Sequence, residues 1–374
     1  MKKRSLLLAL VLLVTLAGCG RREEVPEETN PPVEEVTPPA PEEPLRLDTL
    51  RLELARGEAD TDLALRAARE LPELLQRYFA GAEFPVEIGK VEVSVGSTPA
   101  ATAQSLVRGG VDLAFLPAET FVLCGGEAQV LLGNAPQPAI APLGDSQNPA
   151  DWNTGNKTYA AGQPWQGGTA ALICAGPSAY GRQLAERAES GNPLTWAELD
   201  RARWGVLDAA SDGGYRCADL YLADNYEGDR LPDLSAVTVY ESYEELLRAA
   251  AAEAVDVVVL RKDARMDAAA AWTLEPGRAD ENGLQGFGRT LPVWQEVRCI
   301  AVTEPLYSAV AAAAPGREDL ADGRFTAALL EVLERLYAEE PDLLGVFGSA
   351  RFVPLEDDGL DALRRTLTIE GKTA

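Results

Sequence analysis

The sequence predicts an α/β protein built from two similar lobes with a cleft between them. Two observations indicate this fold class. A strand–helix–strand pattern occurs twice along the chain, and about 330 residues follow an N-terminal segment that cannot join a core, which is more than one compact core usually takes. Each pattern is a βαβ unit, whose two strands normally lie parallel in one sheet. Two such units in different halves of the chain therefore predict two sheets.

The two copies share a polar turn before the helix and a Val-Asp pair at the start of the last strand. Their strands and helices are expected at Val91–Val95, 100–107 and Val111–Leu116, and again at Val237–Tyr240, 244–253 and 254–260. A strand at Leu47–Leu54 and a helix at 62–79 precede the first copy. Ligands of parallel sheets bind beyond the carboxyl ends of the strands, where both polar turns lie. We expect the lobes to face one another across these turns.

The N-terminus predicts a secretory signal followed by a spacer. Residues 1–18 combine a basic start with an apolar run that is too short to span a membrane. The run ends in Leu-Ala-Gly before Cys19, a sequence similar to a bacterial lipobox, so we expect cleavage there and a lipid on the thiol that tethers the protein to a membrane. A plain signal peptide or an uncleaved anchor is the alternative. Residues 19–44 are rich in Pro and Glu and predict an extended linker without a core.

Composition excludes several classes of function. The net charge of −25 argues against nucleic acid as a partner, because phosphate binding needs Lys and Arg. The chain has no histidine, which excludes Ser-His-Asp and Cys-His catalysis in their usual forms. We expect neither enzyme activity nor a cofactor.

Four cysteines follow Cys19, and none of them belongs to a CxxC pair, which argues against a metal site. They are Cys124, Cys174, Cys217 and Cys299. Outside the cytoplasm they could form up to two disulfides, which the sequence alone does not pair. Cys174 and Cys299 each lie in a short apolar segment, where a bond between them and two buried free thiols both remain open.

Four segments resemble the phosphate/phosphite/phosphonate-type substrate-binding proteins of ABC importers, and they occur along the chain in the same order as in that family. They are Gly57–Leu123 with its Leu-Pro-Ala-Glu-Thr turn at 116–120, Trp204–Leu222 with Ser-Asp-Gly-Gly-Tyr at 211–215, Val255–Asp263, and Leu344–Leu367. The resemblance implies the two-lobed type II periplasmic-binding-protein fold with a hinge. It also implies a monomer that is held outside the cytoplasm, binds a small solute such as a phosphonate or phosphite, and delivers it to an ABC permease. One lobe would comprise 45–174 and 297–374, and the other 175–296.

The resemblance also implies a binding site made of hydroxyl and backbone N–H groups at helix N-termini, which hold anions without a counter-charge. The corresponding residues here are Ser97, Thr98 and Thr120 in the first lobe, and Ser211, Asp212, Gly213, Gly214, Tyr215 and Ser242 in the second. Each Ser or Thr could instead serve only as a helix cap, and Tyr215 could serve only in core packing.

Three departures from the family pattern leave the ligand class open. Asp212 and Gly213 stand where the family often has Thr and Ser, Ser242 or Tyr243 lies near the place of a missing histidine, and Thr98 replaces a tyrosine. An ionised Asp212 would favour a ligand with an amine or another cationic group. A heterocyclic ligand, or a sensor that docks on a signalling partner, are further alternatives. An enzyme would have to use carboxylates such as Asp112, Asp208 and Asp256, two of which lie at strand starts away from the cleft.

Overall fold

The computed structural model describes residues 44–55, 61–84, 86–144, 146–155, 157–159, 165–349 and 351–372. They belong to one compact unit, Pro44–Ala374. The predicted signal, the predicted lipidation site Cys19 and the predicted linker, up to residue 43, lie outside the described residues. Among the described residues, no helix combines the length and the apolar content needed to cross a membrane.

The strands and α-helices are numbered along the chain. The strands are β1 Leu45–Leu54, β2 Val86–Val95, β3 Leu113–Pro117, β4 Gln129–Asn134, β5 Gln137–Pro138, β6 Ile140–Ala141, β7 Thr158–Tyr159, β8 Trp165–Gln166, β9 Ala171–Ala175, β10 Trp204–Val206, β11 Val237–Val239, β12 Val257–Arg261, β13 Arg298–Val302, β14 Ala309–Ala313 and β15 Phe352–Pro354. The helices are α1 Thr61–Ala80, α2 Pro99–Val107, α3 Ala118–Cys124, α4 Ala179–Glu189, α5 Trp196–Asp200, α6 Cys217–Asn225, α7 Tyr243–Ala251, α8 Arg265–Trp272, α9 Val293–Glu296, α10 Gly323–Glu339 and α11 Asp361–Ile369.

Strand pairing produces two main sheets, which confirms the two-lobed α/β fold. The first has the order β15-β4-β14-β3-β1-β2, and the second has the order β11-β10-β12-β9-β13. In each sheet three parallel strands, β2-β1-β3 or β11-β10-β12, are followed by an antiparallel strand. Both predicted βαβ units are therefore present, one in each lobe.

The chain crosses between the lobes at different places from those expected. The boundaries predicted at 174/175 and 296/297 would leave most of β9 and all of β13 in the first lobe. Hydrogen bonding puts both strands in the second sheet instead. The first crossing therefore lies between β4 and β9, and the return crossing lies between β13 and β14. The two crossings pair at Thr169 and Leu306, whose backbones exchange hydrogen bonds of 2.8 and 2.9 Å.

The C-terminal helix adds a further connection between the lobes. Helix α11 packs against α3 of the first lobe and against α6 of the second. One hydrophobic cluster accordingly contains buried residues from all three helices, such as Phe121, Leu220 and Leu363. Burial of this shared apolar surface stabilises the lobes as a pair.

The repeated Val-Asp pair builds the same ion pair in both lobes. Asp112 accepts hydrogen bonds from the Arg51 backbone N–H at 2.8 Å and from its Nε and Nη2 at 3.0 and 2.7 Å. Asp256 accepts the same three bonds from Arg203 at 2.8, 3.0 and 2.7 Å. In each of these ion pairs, called forks below, the aspartate directly precedes a parallel strand, β3 or β12, and ties it to the neighbouring strand. Arg51 lies inside β1 and Arg203 directly precedes β10. Both aspartates lie at the strand ends opposite the candidate turns. These carboxylates therefore have a structural role, as expected from their position.

We predict that Asp256→Asn lowers the free energy of unfolding by about 2 to 4 kcal/mol, because the amide leaves charged donors without a matching acceptor. Asp256 is 4 % exposed and also accepts a 2.6 Å bond from Ser178. Urea denaturation measures the loss. Glu87→Gln is the matched control, because its pair with Arg46 is solvent-exposed and should contribute less than about 1 kcal/mol. Equal effects of both substitutions would contradict a structural role for the fork.

The forks also predict a pH dependence. Burial alone would raise the pKa of Asp112 and Asp256, but hydrogen bonds from their arginines outweigh it and hold both pKa values below the ordinary value of 3.8. A lowered folded-state pKa means that this stabilisation is complete above the unfolded-state pKa and is lost as the pH falls through the folded-state pKa. We therefore expect the stability difference between wild type and Asp256→Asn to be constant from pH 6 to 8 and to shrink below about pH 4.

Candidate ligand-binding site

The turn after β10 forms the centre of the candidate site in the second lobe. Ser211 precedes a helical turn, Asp212–Arg216, that continues directly into α6. The Ser211 hydroxyl accepts a 3.1 Å hydrogen bond from the Gly214 N–H, so this serine is a helix cap. The backbone N–H groups of Asp212 and Gly213 lie in the first turn, where a helix offers them no carbonyl partner. A hydroxyl and two N–H donors thus meet at one helix N-terminus.

Two further side chains join this turn from neighbouring strand ends. Tyr243 at the start of α7 directs its hydroxyl to this turn beside Gly213, and burial raises the pKa of its phenol. The guanidinium of Arg261, at the carboxyl end of β12, lies 5.7 Å from the centre of the Tyr243 ring. A Cβ added to Gly213 would lie 2.9 Å from the Cβ of Arg261 and 3.1 Å from the Tyr243 hydroxyl. The absence of a side chain at Gly213 therefore lets the turn lie directly against both residues.

Arg261 is not among the site residues expected from the sequence. Its guanidinium contacts Asp267, Gln137 at 3.3 Å, and Tyr159. Arg261 is half-buried. Burial lowers its pKa, but Asp267 and Tyr159 outweigh this effect and raise the pKa above its ordinary value, so the guanidinium is charged. Arg261, paired with Asp267, therefore stands beside the turn that Ser211 caps, with its Cβ against Gly213.

Asp212 is already paired with a cation. Its carboxylate accepts a 2.9 Å hydrogen bond from Arg216, one helical turn later, and Arg216 also donates a 2.8 Å bond to Glu370 at the end of α11. Burial raises the pKa of Asp212, and the pairing with Arg216 opposes that shift. The side chain thus has a partner on the α11 side of the turn, whereas the position of Gly213 faces Arg261 and Tyr243.

The first-lobe candidates occupy the matching strand ends. Thr98 caps α2 by accepting a 3.1 Å bond from the Ala101 N–H, and both Ser97 and Thr98 are exposed. Thr120 lies in the first turn of α3, directly after β3, and is half-buried. Because β2 and β3 both run parallel to β1, these residues lie at one edge of the first sheet.

Charged side chains connect the two edges. Glu119, next to Thr120, lies 3.9 Å from Arg216 of the second lobe. Lys372 bonds to Glu119 at 3.0 Å and lies 3.2 Å from Glu370. A cavity of about 460 Å³ opens here, and Tyr215 and Ala210 of the second-lobe turn line it together with these charged residues. The turn after β3 therefore faces the turn after β10, as the two-lobed arrangement predicts.

The remaining candidates are less central. Ser242 caps α7 through a 3.2 Å bond from the Glu245 N–H, and Gly214 is buried against Leu207. Tyr215 is half-buried against the cluster that the lobes share and also borders the cavity. None of these contacts tests ligand binding, so all nine candidate residues remain predictions.

Alternative chemistries find little support in the described part of the chain. Asp208 accepts a 2.9 Å bond from the Ala210 N–H within its own turn, and Asp112 and Asp256 belong to the ion-pair forks. No cluster of three or more Cys, Asp or Glu residues among those described is arranged to hold a metal ion.

We predict that Arg216→Gln lowers the free energy of unfolding by about 2 to 4 kcal/mol, because Asp212 and Glu370 would lose their shared cation in a partly buried place. The Arg216 side chain is 13 % exposed. Arg364→Gln on α11 is the control, since Arg364 also pairs with two carboxylates but is 36 % exposed. Chemical denaturation compares the two variants. A loss at Arg216 no larger than that at Arg364 would show that the cluster contributes little.

Comparison with known structures finds distant relatives that cover most of the chain. A Xanthomonas citri protein solved with ATP is 14 % identical over 87 % of this chain and 97 % of its own, with a TM-score of 0.38. A binding component of a Pseudomonas aeruginosa ABC phosphonate transporter is 13 % identical over 87 % of each chain, with a TM-score of 0.33. The Prochlorococcus marinus protein PhnD1, solved with methylphosphonate, is 11 % identical over 87 % of this chain and 99 % of its own, with a TM-score of 0.34.

These structures share too little similarity with the chain to assign its family, which a family model identifies instead. A search of the curated proteins gave no match. The model of the phosphonate periplasmic substrate-binding proteins of ABC transporters matches residues 83–360, a range that includes both candidate turns. The members of this family are solute-binding components of importers and act outside the cytoplasm. By this match, which covers most of its length, the chain belongs to the family of ABC-transporter phosphonate periplasmic substrate-binding proteins.

Proposed function

We propose that this protein binds a small oxyanion of the phosphonate or phosphite class between its lobes and delivers it to the permease of an ABC importer. The observation that carries the proposal is the grouping of Arg261 and Tyr243 with the Ser211 turn. A phosphonate presents several acceptor oxygens and negative charge. A helix N-terminus with free N–H groups, together with a guanidinium, supplies the complementary donors and charge.

The pairing of Asp212 removes the main argument for a cationic ligand. An unpaired carboxylate in this turn would repel an anion and attract an amine. Arg216 instead takes up this charge, at 2.9 Å, on the side of the turn that faces α11. The free N–H groups at this helix N-terminus, with Arg261 beside Gly213 and itself paired with Asp267, would therefore suit an anion better than an amine.

The first lobe would complete the site when the lobes close. We expect the hydroxyls of Ser97, Thr98 and Thr120 to donate to the ligand from the opposite edge. A hydroxyl that accepts a bond as a helix cap still has its own proton to donate, so capping and ligand contact are compatible. Contacts to both lobes would make closure favourable only when a ligand is present.

The proposed setting follows from the family and from the N-terminal sequence. We propose that Cys19 carries a lipid and that residues 19–44 hold the folded unit away from the membrane surface. The protein would then act as a monomer that presents its loaded, closed form to the permease.

The test is calorimetric titration of the protein with methylphosphonate, phosphite, phosphate, sulfate and an alkylamine. We predict that at least one phosphorus oxyanion binds and that Arg261→Gln weakens this binding by about 10- to 100-fold, as expected for a lost charged hydrogen bond. Arg248→Gln is the matched control, because Arg248 lies on α7 of the same lobe in an exposed pair with Glu244 and should leave the affinity unchanged.

Two results would contradict the proposal. Binding of the amine without binding of any anion would favour the cationic alternative. Anion binding that Arg261→Gln leaves unchanged would place the ligand elsewhere. A melting curve for each variant checks that the fold is intact before the affinities are compared.

A further inference from the structure

Two of the four described cysteines face each other in the second sheet. Strands β9 and β13 are antiparallel neighbours, and their register sets Cys299 directly opposite Cys174. Side chains of directly opposite residues project from the same face of a sheet, and their Cα atoms lie about 4.5 to 5.5 Å apart. Disulfides join Cα atoms about 4.4 to 6.8 Å apart, so the backbone already has a suitable spacing.

Both thiols are buried and lie near each other. Burial raises the pKa of Cys299, and the neighbouring Cys174 raises it further. The Cys299 thiol donates a 3.3 Å hydrogen bond to the carbonyl oxygen of Ala301. Cys174 is 0 % exposed and Cys299 is 2 % exposed, within the cluster that also contains Trp152 and Leu260. The other two described cysteines have different surroundings: Cys124 is exposed on α3 of the first lobe, and Cys217 contacts the carbonyl oxygen of Thr169 at 3.2 Å.

We propose that Cys174 and Cys299 are joined by a disulfide in the protein as it exists outside the cell. The family acts outside the cytoplasm, where thiols are oxidised rather than kept reduced. This inference rests on the strand register and on that location, and it is independent of which ligand the protein binds.

The bond would form by exchange with the disulfide of an extracytoplasmic oxidase protein. The thiolate of one cysteine attacks the oxidase disulfide, forms a mixed disulfide and releases one oxidase thiol. The second cysteine then displaces the other oxidase sulfur, so that the two cysteines lose two protons and two electrons and the oxidase becomes a dithiol. Burial raises the pKa of Cys299 well above its ordinary value, so this exchange belongs to a stage of folding before β13 is covered.

The disulfide would hold β13, the strand from which the chain returns to the first lobe, against β9. Strand β13 ends at Val302, and the chain then crosses to β14 through the segment that pairs with Thr169. A covalent tie between β9 and β13 holds together the two strands that adjoin the crossings. It also closes a long loop that contains most of the second lobe, and long loops give the larger stabilisation.

The first experiment maps the thiols of the full-length protein from its own cells. Cells are quenched with acid, and the denatured protein is alkylated with N-ethylmaleimide before and after reduction, then digested and analysed by mass spectrometry. We expect Cys124 and Cys217 to be alkylated before reduction, and Cys174 and Cys299 to be found in one cross-linked species that reduction releases. Alkylation of both Cys174 and Cys299 before reduction, or a bond from either to Cys217, would overturn the proposal.

The second experiment measures stability. Full-length protein in detergent is compared with the same protein after reduction in denaturant and refolding with reductant. We expect reduction to lower the melting temperature by about 5 °C. Cys124→Ser should keep this difference, and Cys174→Ala combined with Cys299→Ala should abolish it. An unchanged melting temperature after reduction of the wild type would contradict a bond that stabilises the lobe. If the double variant fails to fold, the thiol map of the wild type still decides the question.

Discussion

The second-lobe part of the candidate site depends on the pairing of the two segments that cross between the lobes. Thr169 and Leu306 exchange backbone hydrogen bonds of 2.8 and 2.9 Å, which holds the outgoing and returning chains side by side. A Cβ on Gly213 would lie 2.9 Å from the Thr169 methyl group, so the turn that Ser211 caps lies directly on this crossing. Backbone hydrogen bonds of this kind tolerate modest rotation of the residues that flank them. A rotation of the lobes about this crossing would therefore displace the turn that Ser211 caps.

The charged cluster around Arg216 links the same turn to the other lobe. Arg216 reaches Glu370 at the end of α11 and lies 3.9 Å from Glu119 of the first lobe. Helix α11 in turn packs against α3 and α6, so a change in the lobe angle must alter both the apolar contacts and the ion pairs. Partly buried ion pairs are sensitive to small changes of geometry and hydration. Asp212 is part of this interlobe cluster through its pairing with Arg216, so its presence in the turn is compatible with the proposed binding of an anion.

The fold was largely predictable from the sequence, and the charge balance of the site was not. The hydrophobic patterns of the two βαβ units repeat, and both Val-Asp pairs form the same fork with an arginine. The lobe boundaries differed from the prediction because apolar strands such as β9 and β13 look alike in either sheet, and only long-range pairing assigns them. Arg261 was missed because a single arginine after a strand has no local pattern. The ion pair between Asp212 and Arg216 could have been predicted from the sequence, because residues four apart on a helix lie side by side.

The most direct test of the account is a crystal structure of the protein grown with methylphosphonate. The account predicts that the phosphonate oxygens accept hydrogen bonds from the Ser211 hydroxyl, from the N–H groups of the Asp212–Gly213 turn and from Arg261, with Thr98 or Thr120 closing from the first lobe. It also predicts that Asp212 stays paired with Arg216. A phosphonate bound away from the Ser211 turn, or an Asp212 carboxylate turned into the cleft in its place, would contradict the claim that this protein binds an oxyanion between its lobes.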